Sequence, residues 1–298
     1  MSRLESLLSP PSGSDDAGSL ADWAEATLLV ENRRRLSRTA LRRRLTGTAG
    51  DDGVDVLLDL LLKEVQRRQR LAPRAYPFAS DGRSIERLIA VEPRPYFLTL
   101  LLAVSPTFRG SDDSYDEPVE LFDYLVVEAL RGHLGPSSAA IRFGHPSRDG
   151  RPPGFVEAVE WLANLMNLGR GPSTPRWRRR DGGLDVAAWI PFPDDRSGFL
   201  AVLCQCTIAR EWPRKALDLP YHLWPGWIDF GIPPATALAI PFSVPLGFDQ
   251  WDELRRTVTM VLDRFRVVGS IDPALVPDLD SMGAWIDRER ASLSREVA

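Results

Sequence analysis

Residues 182–206 constrain the fold more than any other stretch. Two apolar runs, "GGLDVAAWIPF" and "FLAVLCQCTIA", flank the turn residues "PDDRSG". Two strand-length runs joined by such a turn read as a β-hairpin. Helical periodicity brackets it. "PVELFDYLVVEALRGHLG" sets Phe122, Leu125 and Val126 at helical spacing with Leu121, Ala129 and Leu130, and Gly135-Pro136 stops it. "AAIRFG" reads as a short strand and "GFVEAVEWLANLMNLG" as a second helix. After the hairpin come a short helix near Glu211 and a buried strand, "ATALAIPFSV". "DQWDELRRTVTMVLDRFRVVGSI" then reads as one long helix capped by Asp249. This order predicts an α/β (α+β) fold with a mixed sheet flanked by helices.

The preceding part reads differently. Residues 9–19 are rich in Ser, Pro, Gly and Asp, and 1–19 is expected to be flexible. From 20 to 107 the pattern predicts a helical domain: "LADWAEATLLVENRRRLS", "SRTALRRRL" capped by Ser37, "GVDVLLDLLLKEVQRRQRL" and "GRSIERLIAVEPRPYFLTLLLAVS". "FRGSDDSYDEP" reads as a polar linker, so a second domain is expected over 118–268, with a helical extension at 269–298.

Bulk properties exclude several function classes. A net charge of -4 argues against a chain that coats nucleic acid along its length. Cys204 and Cys206 are two apart in one strand, a poor geometry for a disulfide, so reduced thiols and a cytoplasmic location are expected. His133, His145 and His222 are scattered and form no zinc pattern with them. The longest apolar run, "YFLTLLLAV", is too short to span a bilayer, and the N-terminus lacks the apolar core of a signal peptide. Neither a G-x-S-x-G turn nor a phosphate-cradling Gly loop is present.

The chemistry-bearing residues interrupt the hairpin. Asp185 precedes Val186-Ala187-Ala188-Trp189, and Gln205 lies between Cys204 and Cys206. Each is polar where the pattern wants an apolar residue. A buried unpaired carboxylate is costly, and a divalent cation removes that cost. Mg²⁺ takes one or two carboxylates and fills its shell with water and phosphate oxygens. Taken singly, each residue has a simpler reading: Asp185 caps the turn after Gly182-Gly183, and Gln205 bonds a backbone group.

Together, "GGLDVAAWIPFPDDRSGFLAVLCQC" resembles the active-site hairpin of the PD-(D/E)xK nuclease superfamily, the restriction-endonuclease-like fold. Asp185 matches that motif's Asp, and Gln205 its Glu/Gln. "LFDYLVVEAL" resembles the leading helix, with Phe122-Asp123 for Phe-Glu and Glu120 as a rival for Asp123. The resemblance spans about residues 118–268 and implies Mg²⁺- or Mn²⁺-dependent hydrolysis of DNA phosphodiester bonds. Asp185, Gln205 and Asp123 would hold the metal. The setting it implies is bacterial restriction or anti-phage defence, with DNA and other defence proteins as partners and a homodimer left open. The chain departs at the lysine, where Thr207 stands. Only Lys63 and Lys215 are lysine among the 37 basic residues. Lys215, in "AREWPRK", is the candidate replacement, since a compact ammonium suits a transition-state role. The missing lysine equally supports a catalytically degenerate subunit acting as a DNA-binding or scaffold component.

Three further stretches carry expectations. "RWRRR", Arg176, Trp177, Arg178, Arg179 and Arg180, precedes the Asp185 strand and reads as a nucleic-acid contact or a solvated loop. "NRRRLSRTALRRRL" is a second basic cluster. "YHLWPGWIDFG" reads as a packed aromatic loop, with a base-stacking platform as the alternative.

Overall fold

The computed structural model describes residues 9–11, 16–49, 51–89, 92–104, 117–175, 181–215, 220–245, 247, 249, 251–272, 276 and 278–295. Helix α1 (Ala17–Val30) opens at Asp16, whose carboxylate accepts from the N–H of Gly18 and Ser19 at 3.0 Å each. Strand β1 (Arg35–Ser37), helices α2 (Arg38–Ala49) and α3 (Asp51–Leu71), strands β2 (Phe78–Ser80) and β3 (Ser84–Arg87), and helix α4 (Arg94–Val104) follow. The three strands form an antiparallel sheet in the order β1-β3-β2.

The first part is therefore not wholly helical, and "SIER" is a strand. Turn chemistry overrides the helix-like spacing. Asp81 accepts from the N–H of Arg83 and Ser84 at 2.8 and 2.7 Å, and Gly82 takes φ +78°. Ile85 is then buried opposite Leu36. The expected linker falls mostly on residues outside those described.

The second part builds on α5 (Glu117–Leu134), β4 (Ala139–Arg142), α6 (Phe155–Leu165), β5 (Gly169–Arg170), β6 (Val186–Trp189) and β7 (Ala201–Cys206). Then come α7 (Trp212–Lys215), α8 (Trp224–Trp227), β8 (Ile228–Asp229) and β9 (Ala235–Ala239). The described elements end with α9 (Trp251–Thr257), β10 (Met260–Leu262), α10 (Arg264–Ser270) and α11 (Leu279–Arg295). A mixed five-stranded sheet runs β10-β9-β7-β6-β4. Strands β4, β6 and β7 are antiparallel, and β9 and β10 add in parallel. Fold class is thus α/β with helices on both faces of a mixed sheet.

The expected long helix over 249–271 is interrupted. Thr257-Val258-Thr259 brings β-branched residues together, which favours extended backbone. Val261 and Leu262 pair with Leu238 and Ala239 and are buried. Asp263 then starts a new helix by accepting from the N–H of Arg266 at 3.0 Å. Asp249 lies exposed in the turn ahead of α9.

One hydrophobic cluster contains Leu20, Leu58 and Phe97 from the first part and Phe122, Val186, Val202 and Cys204 from the second. The α5 side of the sheet faces this cluster. The other side carries a cluster under α6 and α8, with Ala187, Leu203 and Trp224, and another around Leu238 and Trp212. Helices α5 and α10 pack closely because residue 132 is glycine; a Cβ there would lie 1.7 Å from the Ser270 carbonyl oxygen.

Candidate active site

Helix α5 presents Asp123 toward the end of β4, and β4 ends at Arg142. Both are buried, and Arg142 Nε donates to Asp123 Oδ2 at 3.1 Å. Asp185 sits just ahead of β6. Its backbone carbonyl accepts from the N–H of Phe143 and Gly144, at 2.7 and 3.0 Å, and its N–H donates to the Cys204 carbonyl. These bonds fix where its side chain emerges. Asp185 Oδ2 accepts from the Cys206 N–H at 2.7 Å, taking a position at the frayed end of the sheet ladder.

The two carboxylates meet beside Gly144. A Cβ on that glycine would lie 3.2 Å from Asp123 Oδ2, 3.3 Å from Asp185 Oδ1 and 3.6 Å from Arg142 Nη2. A side chain at residue 144 would crowd the acidic pair. Burial raises the Asp123 carboxyl to about 7, although Arg142 pulls it down. Burial also raises Asp185 well above the ordinary carboxylate value, and the Asp123 and Asp181 charges add to the rise. The Cys206 thiol beside them is pushed up by burial and by its neighbours Cys204 and Asp123. A buried and a half-buried acid are thus held together, with the Arg142 guanidinium as the counter-charge among the described residues. Asp123 Oδ1 is buried and meets no donor at hydrogen-bonding geometry among the described residues, although the Cys206 thiol lies near enough to lower the carboxyl.

Gln205 occupies the strand next to Asp185, one step beyond the Val186↔Cys204 pair. By alternation its side chain falls on the face of Ala201 and Leu203. Val202 and Cys204 of β7 join the cluster shared with α5, whereas Ala201 and Leu203 join the one under α6. By alternation Gln205 follows Leu203, and it lies in register with Leu238 of the third cluster. It is 7% exposed, and its Oε1 also lacks a partner among the described residues. Of the three residues expected to hold an ion, Asp185 and Asp123 approach each other beside Gly144, and Gln205 lies on the strand next to Asp185.

Thr207 makes a local turn, its Oγ1 accepting from the Ala209 N–H at 3.2 Å. Lys215 ends α7, whose Trp212 packs on the Gln205 side of the sheet. The Lys215 side chain lies outside the described residues, as do Arg176, Trp177, Arg178, Arg179 and Arg180. The other basic cluster is largely consumed by acids. Arg38 pairs with Asp55 and Asp59, Arg42 with Asp55, Arg44 with Glu31 and Arg35 with Asp81. Trp224 and Trp227 are buried against Phe155, so the aromatic loop packs the core and offers no indole face there for a base.

Sequence reasoning missed Arg142. Its signal was present: in "AAIR" a charged residue shares a strand face with Ala140, which is buried. Among the described residues, no group of three or more His, Cys, Asp and Glu is arranged to hold a metal, and no helix is long and apolar enough to cross a membrane. No family model, curated protein or solved structure matches the chain.

Proposed function

We propose that the chain is a divalent-metal-dependent phosphodiesterase acting on DNA, built on a core like that of the PD-(D/E)xK nucleases. The observation that carries this reading is the meeting of Asp123 and Asp185 beside Gly144, with Asp123 Oδ1 meeting no donor at hydrogen-bonding geometry among the described residues. The surrounding order of elements also supports it: a leading helix, an antiparallel β4-β6-β7 meander with the acid at the start of β6, and a parallel β9.

The donor set fits Mg²⁺ or Mn²⁺ in part. Asp123 and Asp185 would each give one oxygen, a two-carboxylate site of the kind Mg²⁺ completes with water and phosphate oxygens. When bound, the ion would activate water and neutralise charge on the phosphate. The chain's own residues set the geometry. Cys206 N–H holds Asp185 Oδ2, Arg142 holds Asp123 Oδ2, and Asp123 Oδ1 would be offered to a ligand. Lys215 remains the proposed transition-state cation. A setting in restriction or anti-phage defence rests on the resemblance alone.

The second reading, a degenerate DNA-binding or scaffold subunit, is favoured by Arg142, which already supplies Asp123 with a cation. Supercoiled plasmid with Mg²⁺ separates the two. On the first reading the wild-type chain nicks or cuts it, and Asp185→Asn slows the reaction by about a hundredfold or more. Salt-dependent DNA binding without any cleavage would establish the second.

A further inference from the structure

We infer that Arg142 is an internal counter-ion that stabilises the metal-free acidic pair and competes with a divalent cation for it. This rests on the cation reading of Asp123 and Asp185 and concerns how that site is regulated.

Arg142 is 4% exposed, so its charge needs partners inside the fold. It has them on every side. Nε donates to Asp123 Oδ2 at 3.1 Å. Nη1 donates to the carbonyls of Pro146 at 2.8 Å and Gly144 at 3.3 Å, and Nη2 to that of His145 at 3.3 Å. Glu120 adds an ion pair at 3.7 Å. The guanidinium thus ties α5 to the loop after β4, and it reaches the point where the two aspartates meet. Nη2 lies 3.6 Å from the Cβ position of Gly144, against 3.2 and 3.3 Å for the two carboxylate oxygens.

A divalent ion at that point would face a fixed positive charge a few ångströms away. Arginine does not leave such a site by losing its proton. Repulsion at that range in a partly buried site is large. The ion must therefore either bind weakly or displace the guanidinium from Asp123. The same guanidinium favours the carboxylate of Asp123, which burial alone would hold as the neutral acid. Arg142 thereby sets a low affinity of the acidic pair for a divalent cation.

Mn²⁺ binding to the full chain, read from the electron paramagnetic resonance of the free ion, tests this without an activity assay. Arg142→Gln should bind Mn²⁺ at least about tenfold tighter than wild type. Arg142→Lys keeps the charge and loses the fork, and it should bind no tighter than wild type. Equal binding in wild type and Arg142→Gln would overturn the inference, as would equal tightening by Arg142→Lys. If Asp185→Asn abolishes binding in that case, the cation reading survives alone. No binding in wild type or in folded Arg142→Gln overturns both.

A second measurement covers a variant that fails to fold. In wild-type protein, the Arg142 Nε–H nuclear magnetic resonance signal should shift on adding Mg²⁺, as its bond to Asp123 is released. A signal that stays put while Mg²⁺ binds would overturn the inference.

Discussion

Asp123 stands between two opposing demands. Burial favours its neutral acid, and Arg142 favours its carboxylate; burial wins, and the group titrates near 7. The unfolded chain would lose that proton near 3.8. Between these values the folded, metal-free protein holds more protons than the unfolded one, so stability falls as pH rises through the window. Asp185 is raised in the same direction and adds to the fall. Asp123→Asn removes one share of this dependence. The wild-type melting temperature should therefore drop relative to the variant's as pH rises from about 4 to about 7. A constant difference over that range would show that Asp123 is not held protonated. At this scale the sequence was half legible. Asp185 stood out because it breaks an apolar run, but its partner did not. Strand alternation assigns a face only relative to the neighbouring residues, and "LCQC" reads equally well with either face toward the site. Asp123 was legible only through the resemblance of its helix.

Elements were readable where one period ran unopposed. In α5 the apolar positions Leu121, Phe122, Leu125, Val126, Ala129 and Leu130 are all buried, as their spacing requires. The hairpin β6-β7 was likewise set by its two apolar runs and the turn between them. The segment from 251 to 270 was not readable, because "LRRTVTMVLDRF" satisfies a helical period while its Thr-Val-Thr core satisfies a strand. Tertiary pairing with β9 decides in favour of β10. Asp263 then becomes the hinge between strand and helix. Its Oδ1 accepts from the Arg266 N–H at 3.0 Å and its Oδ2 from the Val244 N–H at 3.5 Å. Asp263→Ala should lower unfolding stability by about 1–2 kcal/mol, the upper part of the range for a lost cap, because a second backbone N–H is orphaned with it. Urea denaturation measures this, and an unchanged midpoint would mean that β10 pairing alone positions α10.

Across the whole molecule the decisive contact joins residues 242 positions apart. Arg264, at the start of α10, donates from Nη1 and Nη2 to the two oxygens of Asp22 on α1, at 2.7 and 3.0 Å, and from Nε to the Pro241 carbonyl at 2.8 Å. Arg68 of α3 bonds Asp22 and Glu25, at 2.6 and 2.9 Å, and Tyr76 and Tyr96 donate to Glu25 at 2.5 and 2.6 Å. Burial would raise Asp22, but Arg264 and Arg68 hold it below its ordinary value; Glu25, more dependent on burial, is raised. No sequence pattern marks this network, since Arg264 in "LDRFRV" and a lone Asp in "LADWAE" each read as solvated. Together with the shared hydrophobic cluster, it couples the regions over 20–107 and 118–268. Arg264→Met leaves Asp22 leaning on Arg68 alone and should cost about 3–5 kcal/mol, the expense of breaking a buried ion pair from one side. The loss should be felt everywhere at once. Far-UV circular dichroism, which reports mainly the helices, and tryptophan fluorescence, which includes Trp224 and Trp227 under the sheet, should give coincident urea transitions in both wild type and variant. Two separated transitions, with only the helical one moved by Arg264→Met, would show that the regions fold independently and that the buried pair merely joins them.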